Sequence, residues 1–190
     1  VVSFTGTKSY SGPTIVRSGT LLVNGALPSS PVSVDATGTL GGSGTIIQDS
    51  AVNGTLAPGD GVGTLTTGDD LALEAGSRIA WEIADWNGSA GTGHDLLAAS
   101  TLTIGATAGS PITVVVSAPS LVNFAETPKS FTLATSSGIT GLATGAITVD
   151  SSAFPGTGRW SVTQVENNLI LSYALGNAYD AWAGANGING

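Results

Sequence analysis

The tripeptide Gly-Thr-Leu or Gly-Thr-Ile recurs through the first half of the chain. Its five copies begin at Gly19, Gly38, Gly44, Gly54 and Gly63. The first and second copies are 19 residues apart, and so are the third and fifth. Short β-rich units repeating at about 20 residues are typical of solenoids, because one coil cannot bury its apolar face whereas stacked coils can. The repeat therefore predicts stacked β coils.

Apolar residues alternate within the short segments between these glycines. Leu21 and Val23 are one such pair, and this alternation gives each segment one apolar face. Glycine at the corners permits the positive φ that a sharp bend requires. We therefore predict an all-β fold, a right-handed parallel β-helix. The alternative is an antiparallel sandwich or jelly roll, in which pairs such as Asn24-Gly25 would form hairpin turns.

The chain divides into three ranges by its pattern. Residues 1–116 are predicted to hold the solenoid repeats, with an irregular insertion near residues 85–100. Residues 117–176 have longer strands and clearer hairpin signals, which predicts a β-rich continuation or an antiparallel cap over the end of the core. Residues 177–190 are predicted to form a short helical tail, because two aromatic residues lie three apart among alanines there.

Composition excludes several kinds of site. The 190 residues include no cysteine and one histidine, which excludes disulfides, thiolate metal sites and a cysteine nucleophile. The formal charge is −8 and the five basic residues are scattered, so we predict no nucleic-acid partner and no membrane insertion. The chain also lacks an initiator methionine and a signal-peptide pattern, which predicts a processed or trimmed product.

Three runs carry the residues of a known repeat: GTLLVNG at 19–25, GTLGGSGTI at 38–46 and GTLAPG at 54–59. They resemble the autotransporter-associated β-strand repeat, also called the passenger-associated transport repeat. The second half resembles the tail of such exported proteins in planctomycete- and verrucomicrobium-type bacteria. The elements that carry this second resemblance are HDLL at 94–97, SGITG at 137–141, VDSSAF at 149–154 and YDAWA at 179–183.

The resemblance implies a parallel β-helix that belongs to an exported surface protein. It implies no catalytic residues, because the repeat is a scaffold element. Sparse charge, abundant Gly, Ser and Thr, and the absence of cysteine are also typical of exported bacterial proteins. We therefore predict that the chain lies outside the cell or at the cell surface of a bacterium.

Candidate ligand-binding residues lie in glycine-rich turns. Asp60, Asp69 and Asp70 form a candidate calcium site, because carboxylates and carbonyls on such turns suit a hard cation. They match neither an EF-hand nor the calcium-binding nonapeptide repeat, and solvated turn aspartates are the alternative. Trp86 lies in a loop rich in Gly and Asn, so it is expected to be exposed and is a candidate for stacking on sugars. Apart from calcium, no cofactor is predicted.

No catalytic residue is predicted. His94 and Asp95 are the one imidazole next to a carboxylate, but no Gly-x-Ser-x-Gly elbow accompanies them. A glycosidase needs two carboxylates about 5 to 10 Å apart. Glu74 and Glu82 flank a turn, and Glu82 and Asp85 would point to opposite faces of a strand. These patterns do not favour an enzyme.

The predicted function is a non-catalytic extracellular structural module of a cell-surface or matrix assembly, stacking head-to-tail into filaments. The open ends of a β-helix are templates for another subunit. The candidate residues for this self-assembly are Val1, Val2, Phe4, Tyr179 and Trp182. The predicted partners are copies of the chain and surface polysaccharide. The alternative is a polysaccharide-binding, adhesive module, and a polysaccharide lyase or hydrolase is less favoured.

Overall fold

The computed structural model describes residues 1–176, which form strands and turns but no helix, so no helix among them could cross a membrane. The strands are β1 (Val2–Phe4), β2 (Thr14–Val23), β3 (Ala26–Leu27), β4 (Val32–Gly42), β5 (Thr45–Ile46), β6 (Ser50–Val52), β7 (Thr55–Pro58), β8 (Thr64–Leu73), β9 (Arg78–Glu82), β10 (Leu96–Ile104), β11 (Ile112–Ser117), β12 (Lys129–Thr135), β13 (Gly138–Thr140), β14 (Ile147–Ala153), β15 (Arg159–Val165) and β16 (Asn168–Ala174). The all-β prediction is confirmed. The predicted helical tail, with Tyr179 and Trp182, lies outside the described residues.

Parallel pairing builds three ladders of strands. The first ladder contains β1, the ends of β2 and β4, and then β7, β9, β11 and β14. The second contains the starts of β2 and β4, then β6, the ends of β8 and β10, and β13. The third contains β3, β5, the starts of β8 and β10, and β12. Along the chain, successive strands belong to the first, third and second ladders in that repeating order. One passage through all three ladders forms one coil.

Register within the ladders stacks apolar side chains in columns through the core. The column of the first ladder consists of Val2, Leu21, Leu40, Leu56, Ile79, Val114 and Val149. From Leu21 to Val114 its members are at most 5% exposed. Burial of apolar area is the main stabilising contribution in such a stack, at roughly 25 cal/mol per Å².

The repeated tripeptide marks part of this register. Its first, second and fourth copies stack on one another in the first ladder: Thr20, Thr39 and Thr55 are in register, and Gly19 pairs with Gly38. The third and fifth copies do not stack on one another despite their 19-residue spacing, because Thr45 pairs with Thr66 and not with Thr64. Coils differ in length at their corners, so a fixed spacing does not define which residues stack.

The corner glycines are required by close contact between successive coils. A Cβ on Gly25 would lie 2.1 Å from the carbonyl oxygen of Gly6, and a Cβ on Gly44 would lie 2.1 Å from that of Gly25. Neither Gly25 nor Gly44 has a positive φ, so the reason given from sequence is wrong at these corners. Asn24-Gly25 is not a hairpin turn either, because β2 and β3 on its two sides belong to different ladders.

Among the named strands of residues 1–176, the two antiparallel pairings lie near the C-terminal end. β12 pairs with β16, and β16 pairs with β15, which agrees with the antiparallel strands expected there. Parallel pairing continues beyond residue 116, as far as β14. The irregular insertion expected near residues 85–100 ends earlier, because β10 begins at Leu96.

Candidate interaction surface

The N-terminal end of the stack has a free strand edge. β1 pairs with β2 and with no other strand among residues 1–176. The backbone N–H of Asn24 donates to the carbonyl of Phe4 over 2.9 Å, which fixes the end of this strand. Val1 is 91% exposed and Val2 is 57% exposed. The structure therefore brings three of the predicted self-assembly residues, Val1, Val2 and Phe4, together at one end.

A groove of about 380 Å³ lies beside β1. Its lining includes Val2, Phe4, Ile15, Val16 and Leu21. Val16 and Leu21 are buried members of the core, whereas Ile15 is 50% exposed. Apolar side chains of the first coil are thus open to solvent here. We call β1, residues 14–16 of β2 and the groove between them the open end.

The opposite end of the core is filled by aromatic rings. The members of this aromatic cluster are Trp81, Trp86, Phe124, Phe131, Phe154, Trp160 and Tyr173. Their ring centroids lie 4.9 to 6.3 Å apart in mostly edge-to-face contacts, a geometry that stabilises aromatic pairs. The two ends of the stack therefore differ in how far their apolar surface is covered.

Trp86 belongs to this cluster and is 1% exposed. The prediction that it is exposed for sugar stacking is therefore wrong. The backbone N–H of Trp86 donates to the carbonyl of Val122 over 3.0 Å, which joins its loop, residues 83–95, to the segment around residue 122. The rings that cover Trp86 come from residues 124–173, so the composition of the loop carries no signal of its burial.

The three candidate calcium ligands do not form one site. Asp60 accepts a hydrogen bond from the Asn24 side chain over 3.3 Å. Asp70 accepts hydrogen bonds from Thr101 and Thr103 over 3.0 and 3.1 Å, and Asp69 is exposed beside it. Within residues 1–176 no group of three or more His, Asp or Glu side chains is placed to hold a metal ion.

His94 and Asp95 are buried but are not arranged as a catalytic pair. His94 is 5% exposed, and among residues 1–176 its ring nitrogens make no hydrogen bond of normal geometry, although the Gly88 backbone is close enough to act on the imidazole. Burial lowers the pKa of His94 to about 4. The carboxylate of Asp95 accepts hydrogen bonds from the backbone of Gly63 over 2.9 Å and of Glu82 over 2.8 Å. Burial raises the pKa of Asp95 to about 7, against the opposing effect of these two bonds.

These two shifts predict opposite pH dependences of stability. Between pH 4 and 6.5 the unfolded chain binds a proton at His94 that the folded chain does not, so this group makes stability rise with pH. Between pH 3.8 and 7 the folded chain keeps a proton on Asp95, which makes stability fall as pH rises. We expect the two to offset each other, each with a limiting slope of about 1.4 kcal/mol per pH unit.

Urea unfolding at pH 4, 5 and 6 checks this expectation. His94→Leu removes the His94 contribution and keeps that of Asp95, so the stability of this variant should fall more steeply with rising pH than that of the wild type. Asp95→Asn leaves the His94 contribution, so its stability should rise with pH. Parallel curves for the wild type and both variants would show that neither group titrates differently in the folded and unfolded states.

The remaining candidate residues, Asp85, Glu82 and Glu74, make hydrogen bonds to neighbouring strands and loops, Asp85 through its carboxylate and the two glutamates through their backbone. Asp85 accepts hydrogen bonds from the Asn123 side chain over 2.9 Å and from the Asn87 backbone over 3.0 Å. The Asn123 side chain holds the pKa of Asp85 below its usual value. The Glu82 backbone binds Asp95, and the Glu74 backbone N–H donates to the second-ladder strand β6. These contacts join coils and loops to one another.

A further polar cluster at the C-terminal end was not anticipated from sequence. The Tyr173 hydroxyl donates to the Glu126 carboxylate, and the Thr157 N–H and hydroxyl each donate to the same carboxylate over 2.9 Å. The hydrogen bond from Tyr173 contributes most to lowering the pKa of Glu126. These residues are far apart in sequence and belong to no motif, so no local pattern could have joined them.

The comparisons with known proteins are sparse. No protein-family model matches the chain. A segment of 81 residues is 38% identical to the extracellular serine protease of Serratia marcescens. That segment covers 42% of this chain and 8% of the protease, so the chain spans only a small part of its relative's length. The match indicates similarity to a portion of an extracellular protein.

Proposed function

We propose that this chain is a non-catalytic structural module of an exported bacterial protein, folded as a right-handed parallel β-helix. The observation that carries the proposal is the repeated passage of the chain through three parallel ladders in a fixed order. Each coil contacts its two neighbours, so coils can be added or removed without rebuilding a central site. Such a design suits a spacer or scaffold outside the cell.

Two further observations support this proposal. The partial relative is an extracellular protein by name, which favours export. The ring nitrogens of His94 make no hydrogen bond with a serine among residues 1–176, so the proposal does not carry the relative's protease activity over to this chain. The resemblance to the autotransporter-associated repeat favours the same scaffold role.

Assembly of whole copies is a separate part of the proposal. The free edge of β1 favours stacking at the N-terminal end. At the other end the third ladder continues into antiparallel β16 and β15, so a stacked copy would meet a parallel edge only at β13 and β14. The head-to-tail filament stays a prediction, and the scaffold role does not depend on it. The glycan-binding alternative loses the contribution of Trp86, which is buried.

Removing one whole coil tests the scaffold proposal. Deletion of residues 32–49 joins Pro31 to Ser50, and Ser50 is the register partner of Val32. We expect this variant to fold with a cooperative urea transition and to lose about 1 to 3 kcal/mol, in proportion to the residues removed. Circular dichroism and urea unfolding measure this loss.

Deletion of residues 32–40 is the matched control. It removes half a coil and shifts the register of every ladder, so we expect no cooperative transition. The scaffold proposal would be refuted if removing the whole coil unfolded the chain as completely as removing half of it.

A further inference from the structure

The segment between β11 and β12, residues 118–128, packs against the aromatic cluster, and we call it the strap. Two backbone hydrogen bonds join the strap to the loop at residues 83–95, and both are at Val122. The Val122 N–H donates to the carbonyl of Ala84 over 2.9 Å, and the Val122 carbonyl accepts from the N–H of Trp86 over 3.0 Å. The rest of the strap is fastened through side chains.

One strap side chain, Phe124, is part of the aromatic cluster. Its ring centroid lies 4.9 Å from that of Trp86 and 5.3 Å from that of Phe154. Trp86 is 1% exposed while the strap is in place. Opening of the strap would therefore bring the rings of Phe124 and Trp86 into contact with solvent.

Two carboxylates fasten the strap at positions 123 and 126. Asp85 accepts a hydrogen bond from the Asn123 side chain over 2.9 Å. Glu126 lies on the strap itself and accepts hydrogen bonds from Thr157 and Tyr173. Asn123 has a φ of 57°, a left-handed conformation that costs free energy in a residue other than glycine. Release of Asn123 from Asp85 would relieve this strain.

Acid weakens both fastenings. The pKa of Glu126 is held below its usual value chiefly by the hydrogen bond from Tyr173, and the pKa of Asp85 is held below its usual value chiefly by the Asn123 side chain. A group with a depressed folded-state pKa stabilises the fold fully at neutral pH, and this contribution is lost as pH falls through that pKa. Both carboxylates therefore act in the same direction.

The other charged or titratable groups beside the two carboxylates keep their protons in acid. Tyr173 is neutral there, and Lys129, which faces Asp85, stays cationic. Arg159, at the start of β15, is also cationic at every pH of interest. His94, on the loop to which the strap is joined, is different, because burial lowers its pKa to about 4. Its contribution has to be separated from that of the carboxylates by substitution.

We propose that the strap is an acid-released cover over the aromatic cluster. At neutral pH Glu126 and Asp85 hold it closed. In acid both carboxylates take up protons, the strap opens with loss of its two hydrogen bonds at Val122, and the rings of Phe124 and Trp86 become accessible. The ladders keep their register because apolar columns hold them together. The module thus presents an aromatic surface in acid and hides it at neutral pH, a property that goes beyond the scaffold role.

Hydrogen exchange of backbone amides tests this proposal, followed by mass spectrometry between pH 3 and 6 and corrected for the intrinsic pH dependence of exchange. The closed strap protects the amides of Trp86, Val122 and Thr157. We expect peptides that contain these amides to exchange at least about tenfold faster at pH 3 than at pH 6 after correction. Peptides from β4 and β8 should show no such change.

Variants assign the change to the strap. Glu126→Gln keeps an acceptor oxygen but cannot titrate, so the acceleration at Thr157 should be largely lost. Glu126→Ala removes the acceptor and should open the strap already at pH 6. Asp69→Asn, at an exposed position on β8, is the matched control and should keep the wild-type profile. His94→Leu should also keep it, because release is assigned to the carboxylates.

Three results would overturn the acid-released cover. The first is exchange at the strap that rises together with that of β4 and β8, since the whole chain then unfolds. The second is an unchanged profile in Glu126→Gln, and the third is a profile that His94→Leu abolishes. The coil deletion tests the scaffold role at neutral pH, so either proposal can fail without the other.

Discussion

Replacing Trp86 with alanine is expected to lower the free energy of unfolding by about 3 to 5 kcal/mol. The indole is 1% exposed, and its centroid lies 4.9 Å from Phe124, 5.1 Å from Phe131 and 5.3 Å from Tyr173. The substitution leaves a cavity between rings that come from separate parts of the chain, and rigid rings in mutual contact cannot collapse into it. Because domains are stable by roughly 5 to 15 kcal/mol, this loss is a large share of the total.

Urea unfolding of Trp86→Ala against Val122→Ala measures this effect. Val122 lies next to Trp86, bridges to the same loop and is 53% exposed, so its truncation should change stability by no more than about 0.5 kcal/mol. Equal stabilities for the two variants would mean that Trp86 is solvent-exposed, as a sugar-stacking role requires, and that the aromatic cluster is misplaced.

The stacking of coils could be predicted from sequence because its cause is local. Alternating residues such as Leu21 and Val23 define an apolar face within one segment. The repeated tripeptide indicates that the same apolar face recurs in the next coil. The register could not be predicted throughout, since it depends on corner lengths. Thr45 pairs with Thr66, so this coil is 21 residues long, whereas the spacing of the tripeptide is 19.

The polar and aromatic interior could not be predicted because its contacts are distant in sequence. Trp86 is buried by rings up to Tyr173, and Asp95 is held by the backbone of Gly63, 32 residues earlier. The calcium site was predicted because its aspartates are close along the chain. In the fold, Asp60 accepts a hydrogen bond from Asn24 and Asp70 accepts one from Thr101, so the two carboxylates have different partners. The open end was anticipated, since an edge strand follows directly from stacking.

Replacing Gly44 with alanine is the second large expected effect, a loss of about 3 kcal/mol or more. The added Cβ would lie 2.1 Å from the Gly25 carbonyl oxygen and 2.6 Å from that of Val23. Both are backbone atoms of the preceding coil, and no side chain can rotate away to relieve the contact. The coils must separate at this corner, which stretches the hydrogen bond from the Thr45 N–H to Gly25, now 2.9 Å.

Gly138→Ala is the matched control, because a Cβ there meets no atom within 4 Å and Gly138 does not have a positive φ. Gly138 also lies on a parallel ladder, paired with Thr101. We expect Gly138→Ala to change the free energy of unfolding by at most about 0.5 kcal/mol.

The difference in the free energy of urea unfolding between Gly44→Ala and Gly138→Ala tests most directly whether the chain is a stack of coils in backbone contact. We expect Gly44→Ala to be less stable than Gly138→Ala by about 2.5 kcal/mol or more. Equal stability of the two variants would contradict it, because the corners of successive coils would then not touch.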